Sequence, residues 1–63
     1  MRIKLKQLRE SQGFTQKQVA EVIGLARNSY TQIETGEKTP SLPVALKIKE
    51  ALNYTGDDIF DNS

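Results

Sequence analysis

Residues 15–36 read TQKQVAEVIGLARNSYTQIETG, and the reading of this stretch decides the fold. Thr15 is a natural N-cap, and Gln18, three residues on, completes an S/T-x-x-E/Q capping box. Val19, Ala20, Val22 and Ile23 supply an inward stripe, with Gln16, Lys17, Gln18 and Glu21 outward. Gly24 ends this helix after about two turns and permits the positive φ that a sharp turn between helices requires. A second helix begins near Ala26 and runs to Thr35, with Leu25, Tyr30 and Ile33 as its apolar contacts, and Gly36 closes it. The stretch is therefore a helix, a tight turn and a helix.

The flanks read as support. Residues 2–12 combine Leu5 and Leu8, three apart, with good helix formers, and Gly13 stands where a left-handed stop is wanted. After the polar loop Glu37-Lys38-Thr39-Pro40, Ser41 caps a further helix with Pro43 tolerated in its first turn. Val44, Ala45, Leu46, Ile48, Ala51 and Leu52 are its expected buried side, and Asn53 its C′ residue. Thr55-Gly56-Asp57-Asp58 resembles another N-cap, with acids in the first turn of a short fifth helix ending in Ile59 and Phe60. The expectation is an all-α, compact five-helix bundle forming one domain over residues 1–63.

Composition narrows the chemistry. A chain of 63 residues without Cys has neither disulfides nor thiolate metal sites, so packing must hold it together. No apolar run approaches the roughly 18 residues of a membrane span, and none has signal-peptide character, which makes the cytoplasm the expected location. The net charge is only +1, but all nine Lys and Arg residues fall in the first 49 positions, against four acids there, a balance of +5. Positions 50–63 carry four acids and no base. The asymmetry points to an anionic partner for the front of the molecule.

With no His and no Cys, Ser–His and Cys–His nucleophile pairs are impossible. Asp57, Asp58 and Asp61 form the only carboxylate cluster, and they read as capping and dipole partners rather than metal ligands. The glycines are scattered, so no phosphate-cradling loop exists. The chain is not expected to be an enzyme or to hold a metal, cofactor or small-molecule ligand.

Arg27, Asn28, Thr31 and Gln32 lie at i, i+1, i+4 and i+5, one face of the helix that opens near Ala26. Arg can take a guanine edge in bidentate fashion, and Asn or Gln an adenine edge. Each has a plainer alternative: a phosphate contact for Arg27, an ordinary polar position for Asn28, a solvated surface for Gln32. Thr31 is better suited to phosphate or local backbone than to bases. Gln16, where free backbone N–H groups favour a phosphate, and Lys17, Lys38 and Thr39 are the other candidates for the nucleic-acid backbone.

Gln16-x-x-x-Ala20-x-x-x-Gly24-Leu25, then Tyr30-x-x-Ile33-Glu34-x-Gly36, then Pro40-Ser41-Leu42 and Leu46-x-Ile48-x-x-x-Leu52 together resemble the phage-repressor and Cro-like (XRE-type) helix-turn-helix family. The resemblance runs from about Leu5 to Phe60. It implies a lambda repressor-like DNA-binding domain that acts in transcription regulation. It puts Arg27, Asn28 and Gln32 at the base-contacting positions and Gln16 at the phosphate clamp. It also implies that Arg9 and Glu34 pair with each other, which removes both from the DNA surface. Two residues depart from the pattern: Ala26 replaces the Ser or Thr that caps the reading helix, and Tyr30 replaces a β-branched aliphatic at a buried position.

The expected function is that of a sequence-specific regulator, a repressor rather than an activator. It would bind a pseudo-palindromic double-stranded operator as a homodimer, with half-sites about 34 Å apart. Its expected setting is a prokaryotic or phage-type cytoplasm, nucleoid-associated when bound. Tyr54, Ile59, Phe60 and the outer side of the helix after Ser41 are the dimer candidates, although Ile59 and Phe60 could equally close the monomer core. The competing reading is an antitoxin- or adaptor-type module whose main partner is another protein.

Overall fold

The structure is a computed structural model, and it describes residues 1–61. Four α-helices follow in order: α1 (Ile3–Ser11), α2 (Gln16–Ile23), α3 (Arg27–Thr35) and α4 (Leu42–Ala51). No strand occurs among the described residues. α2 packs on α3 and α4, while α1 packs on α3 and on the C-terminal segment. Leu5, Val19, Ala20, Ile23, Tyr30, Ile33, Ile48, Leu52 and Ile59 fill the centre, each at most 5% exposed.

The helix ends follow from local chemistry. The Thr15 hydroxyl accepts from the Gln18 N–H at 3.1 Å, and the Gln18 side chain accepts from the Thr15 N–H at 2.8 Å, a complete capping box. Gly24, at φ 77°, turns the chain so sharply that Leu25 N–H returns to the Ala20 carbonyl at 2.9 Å. A side chain at that φ would strain the turn on which the placement of α3 depends. Ser41 caps α4 through the Val44 N–H, and Asn53, at φ 52°, closes it.

The expected fifth helix is not there. Residues Asp58–Phe60 form a single 3-10 turn, preceded by Asp57 and followed by extended Asp61. Three residues do not nucleate an α-helix, and the acids have other partners than helix N–H groups. Asp57 takes Lys49 at 2.7 Å, and Asp58 accepts from the Tyr54 hydroxyl at 2.7 Å and lies 3.8 Å from Lys4.

Two apolar expectations are also corrected, and one alternative is decided. Val22 is 65% exposed, because Val19, Ala20 and Ile23 define the buried face and about 100° per residue carries Val22 off its edge. Leu46 is 48% exposed, lying with Leu42 on the side of α4 opposite Ile48 and Leu52. Ile59 is 2% exposed and belongs to the core, so it is not available to a second copy; Phe60 and Tyr54 are half-buried against that core.

Candidate nucleic-acid interface

α3 is held from beneath by Tyr30, Ile33 and Glu34, all buried, and this leaves Arg27 and Asn28 exposed and Thr31 and Gln32 half-exposed. The four candidate side chains thus share the outer face of one helix. At its N-terminus Arg27 meets α2: Gln16, Lys17 and Arg27 line one open depression of about 530 Å³, with Arg9, Glu10, Phe14 and Thr15 as the rest of its wall. Lys38 and Thr39 are exposed in the loop just beyond α3. Among the described residues, neither Lys17, Arg27 nor Lys38 has a carboxylate within 4.0 Å, whereas Lys4 and Lys49 do. Lys6 on α1 and Lys47 on α4 likewise lack one among the described residues, so three of the five exposed or half-exposed cations without a carboxylate lie at or beside α3, where an anionic partner would meet them.

Beneath that face, Arg9 reaches Glu34 with two parallel bonds, Nε to Oε2 at 2.9 Å and Nη2 to Oε1 at 3.0 Å. Its Nη1 donates to the Phe14 carbonyl at 2.7 Å. The side chains are 9% and 1% exposed, so this is a buried ion pair with fork geometry. The Glu34 hydrogen bond raises the already high pKa of Arg9, outweighing the opposite effect of burial.

Gln16 joins this pair to the outer face. Its amide N–H₂ approaches Glu34 Oε1 at 3.4 Å, and its amide oxygen accepts from the Thr31 hydroxyl at 3.2 Å. The carboxylate fixes the sense of the amide, because only an N–H can face Glu34. One N–H of Gln16 remains for an outside acceptor. Thr31 gives its single hydroxyl proton to Gln16, so in this arrangement it cannot also donate to a phosphate.

Two buried groups are unusual. Tyr30 is fully buried and its hydroxyl has no hydrogen-bond partner among the described residues. Burial pushes that phenol well above its ordinary value, and the Glu34 charge adds to the effect while Arg9 opposes it. Arg2, 3% exposed, is the second, and nothing in the sequence sets it apart from the other eight bases. The only available signal is its place one turn ahead of Leu5, on the buried side of α1.

The model for the helix-turn-helix family matches residues 5–59. Among curated proteins, the chain is 38% identical over 60 residues to the uncharacterized HTH-type transcriptional regulator YgzD of Bacillus subtilis, covering 95% of this chain and 91% of the relative. It is 40% identical over 62 residues to YqaF of the same organism, also an uncharacterized HTH-type transcriptional regulator, covering 98% and 82%. An uncharacterized HTH-type transcriptional regulator of Archaeoglobus fulgidus is 33% identical over 60 residues, covering 95% and 86%. No solved structure matches the chain. No described helix is long and apolar enough to cross a membrane. With matched sequence spanning α1 to the 3-10 turn and the α2-turn-α3 unit at its centre, the chain belongs to the XRE-type helix-turn-helix family.

Proposed function

We propose that the protein is a sequence-specific double-stranded DNA-binding regulator, a repressor that places α3 in the major groove. The observation that carries this is the outer face of α3, where Arg27 has no carboxylate within 4.0 Å among the described residues and meets Gln16 and Lys17, with Asn28 exposed and Gln32 half-exposed on the same face. In this reading Arg27 takes a guanine edge, and Asn28 and Gln32 take adenine edges. Gln16, Lys17, Lys38 and Thr39 hold phosphates, and Thr31 acts through the Gln16 amide that it orients. The regulator names of the relatives support the same reading.

One such face reads too few base pairs for tight specific binding, so the working form is a dimer on a pseudo-palindrome with half-sites about 34 Å apart. With Ile59 buried, the candidate surface for a second copy is the outer side of α4, where Leu42 and Leu46 are 74% and 48% exposed and Leu46 lines a depression with Tyr54.

The test is selection of duplex DNA from a random pool, followed by titration of the selected sequence between 50 and 200 mM salt. Affinity falls steeply with salt, and random DNA competes far less well than the selected duplex. Failure to enrich any sequence, together with binding indifferent to Arg27→Ala and Gln32→Ala, removes the DNA reading. Retrieval of a protein partner through Leu42 and Leu46 instead would establish the antitoxin- or adaptor-type alternative.

A further inference from the structure

We propose that Arg2 is a positioning residue for DNA binding: from inside the fold it fixes the backbone that carries Lys38 against the C-terminal end of α3. The proposal rests on the DNA reading given above. Arg2 is a base in the second position of the chain, yet it is 3% exposed. Its Nε donates to the Phe60 carbonyl at 2.9 Å, and its Nη1 donates to the Lys38 carbonyl at 2.9 Å and to the Ile33 carbonyl. Its backbone N–H adds a fourth bond, to the Glu34 carbonyl at 2.8 Å.

No carboxylate lies within 4.0 Å of this guanidinium among the described residues. A buried cation without an anion is costly unless dipoles surround it. Here the dipoles are three carbonyls, that of Ile33 in the last turn of α3, where the helix dipole is negative, and those of Lys38 and Phe60 outside that helix. The charge is thus balanced jointly by the end of α3, the loop after it and the C-terminal turn. Carbonyls arriving from three segments suit the planar fork of Arg and not the single ammonium of Lys.

The consequence falls on Lys38. Its N–H donates to the Gln32 carbonyl at 3.1 Å and its carbonyl accepts from Arg2, so both of its peptide bonds are tied while its side chain stays in solvent. Fixing a residue's backbone costs conformational entropy. A solubilising lysine has no use for that constraint, whereas a phosphate contact gains from having it in place before the ligand arrives.

The experiment measures binding of the full chain to a 30-base-pair random-sequence duplex across a salt series, for the wild type, Lys38→Ala, Arg2→Lys and the double variant. Circular dichroism and thermal melting identify a temperature at which each is folded. Lys38→Ala is expected to lower the slope of log K against log salt by about one. Arg2→Lys, although it keeps its charge and lies away from the DNA face, is expected to lower the slope by a similar amount. Adding Lys38→Ala to it should then change little. A folded Arg2→Lys variant with the wild-type slope, or an unaltered effect of Lys38→Ala in that background, overturns the proposal. So does a wild-type slope in Lys38→Ala alone, which refutes the Lys38 contact while leaving DNA binding standing. Absence of salt-dependent binding by the wild type refutes the DNA reading itself, and this proposal with it. Should Arg2→Lys not fold, proton exchange on the wild type decides: slow exchange of the Arg2 Nη1–H groups supports the tie, and exchange at the rate of a free guanidinium overturns it.

Discussion

The two ends of α3 are built on opposite terms. The C-terminal end is anchored at every level: Ile33 and Glu34 are buried, Arg9 holds the Glu34 carboxylate, Arg2 holds the Ile33 and Glu34 carbonyls, and Gly36 turns the chain away at φ 90°. The N-terminal end has almost nothing. Ala26 stands at φ −66° and ψ 147°, the backbone of an N-cap, but it has no side-chain acceptor to give the first N–H groups. α2, one turn away in sequence, has a full capping box at the same place. Stabilisation is concentrated at one end of the helix, and Arg27 and Asn28, two of the three side chains proposed to read bases, lie exposed at the other, so the two can be perturbed separately.

The largest effect is expected from removing the anchor. Glu34→Ala leaves Arg9 buried without its anion, which costs on the order of 3–5 kcal/mol. That is most of the stability a domain of this size commands. Urea denaturation should show a folded population much reduced or absent at 25 °C. An unchanged midpoint would mean that the ion pair does not carry the C-terminal end.

At the open end the expected result inverts. Arg27→Ala should leave thermal stability within about 0.5 kcal/mol of the wild type, since Arg27 is exposed and has no salt bridge among the described residues. It should weaken binding to the selected duplex by about 1–3 kcal/mol and relax preference at one base pair. Equal weakening on selected and random DNA would reassign Arg27 to a phosphate. A drop in stability comparable with that of Glu34→Ala would erase the contrast between the two ends.

Ala26→Ser tests whether the open end is merely uncapped. The backbone of Ala26 already has the extended conformation of an N-cap, so a serine hydroxyl can reach the free N–H groups without rearrangement. A gain of about 1 kcal/mol is expected by chemical denaturation. No gain, or a loss, would show that those N–H groups are satisfied in some other way.

The contrast was only half legible in the sequence. The helix-turn-helix frame followed from Thr15, Gln18, Gly24 and Gly36, because capping boxes and positive-φ glycines act over a few residues and leave a local trace. The missing cap at Ala26 was visible for the same reason. The pairing of Arg9 with Glu34 came through the family resemblance, not from spacing, since the two are 25 residues apart. Arg2 left only its place one turn ahead of Leu5: its partners are backbone carbonyls, which every residue has, so neither composition nor periodicity records what it binds. The fifth helix failed for a related reason. Thr55 to Asp58 has the residues of an N-cap, but tertiary partners Lys4, Lys49 and Tyr54 hold the acids instead.

Tyr30 lies between the two ends and should give the smallest effect. Its ring fills the core beneath α3, but its hydroxyl is buried without a hydrogen-bond partner among the described residues. Tyr30→Phe keeps the ring and removes the unsatisfied group, so at pH 7 the change should be neutral or a gain of up to about 1 kcal/mol. The alkaline limb is more telling. The folded-state pKa is raised above that of the unfolded chain, near 10, so the native state keeps a proton that the unfolded state releases. Stability is unaffected below about pH 10 and falls as pH rises beyond it. Tyr30→Phe should flatten that fall, while Tyr54, raised by its bond to Asp58, titrates in both proteins and cancels in the comparison. A loss of more than about 1 kcal/mol at pH 7 would mean that the hydroxyl has a partner, in which case the middle of α3 is held as firmly as its C-terminal end.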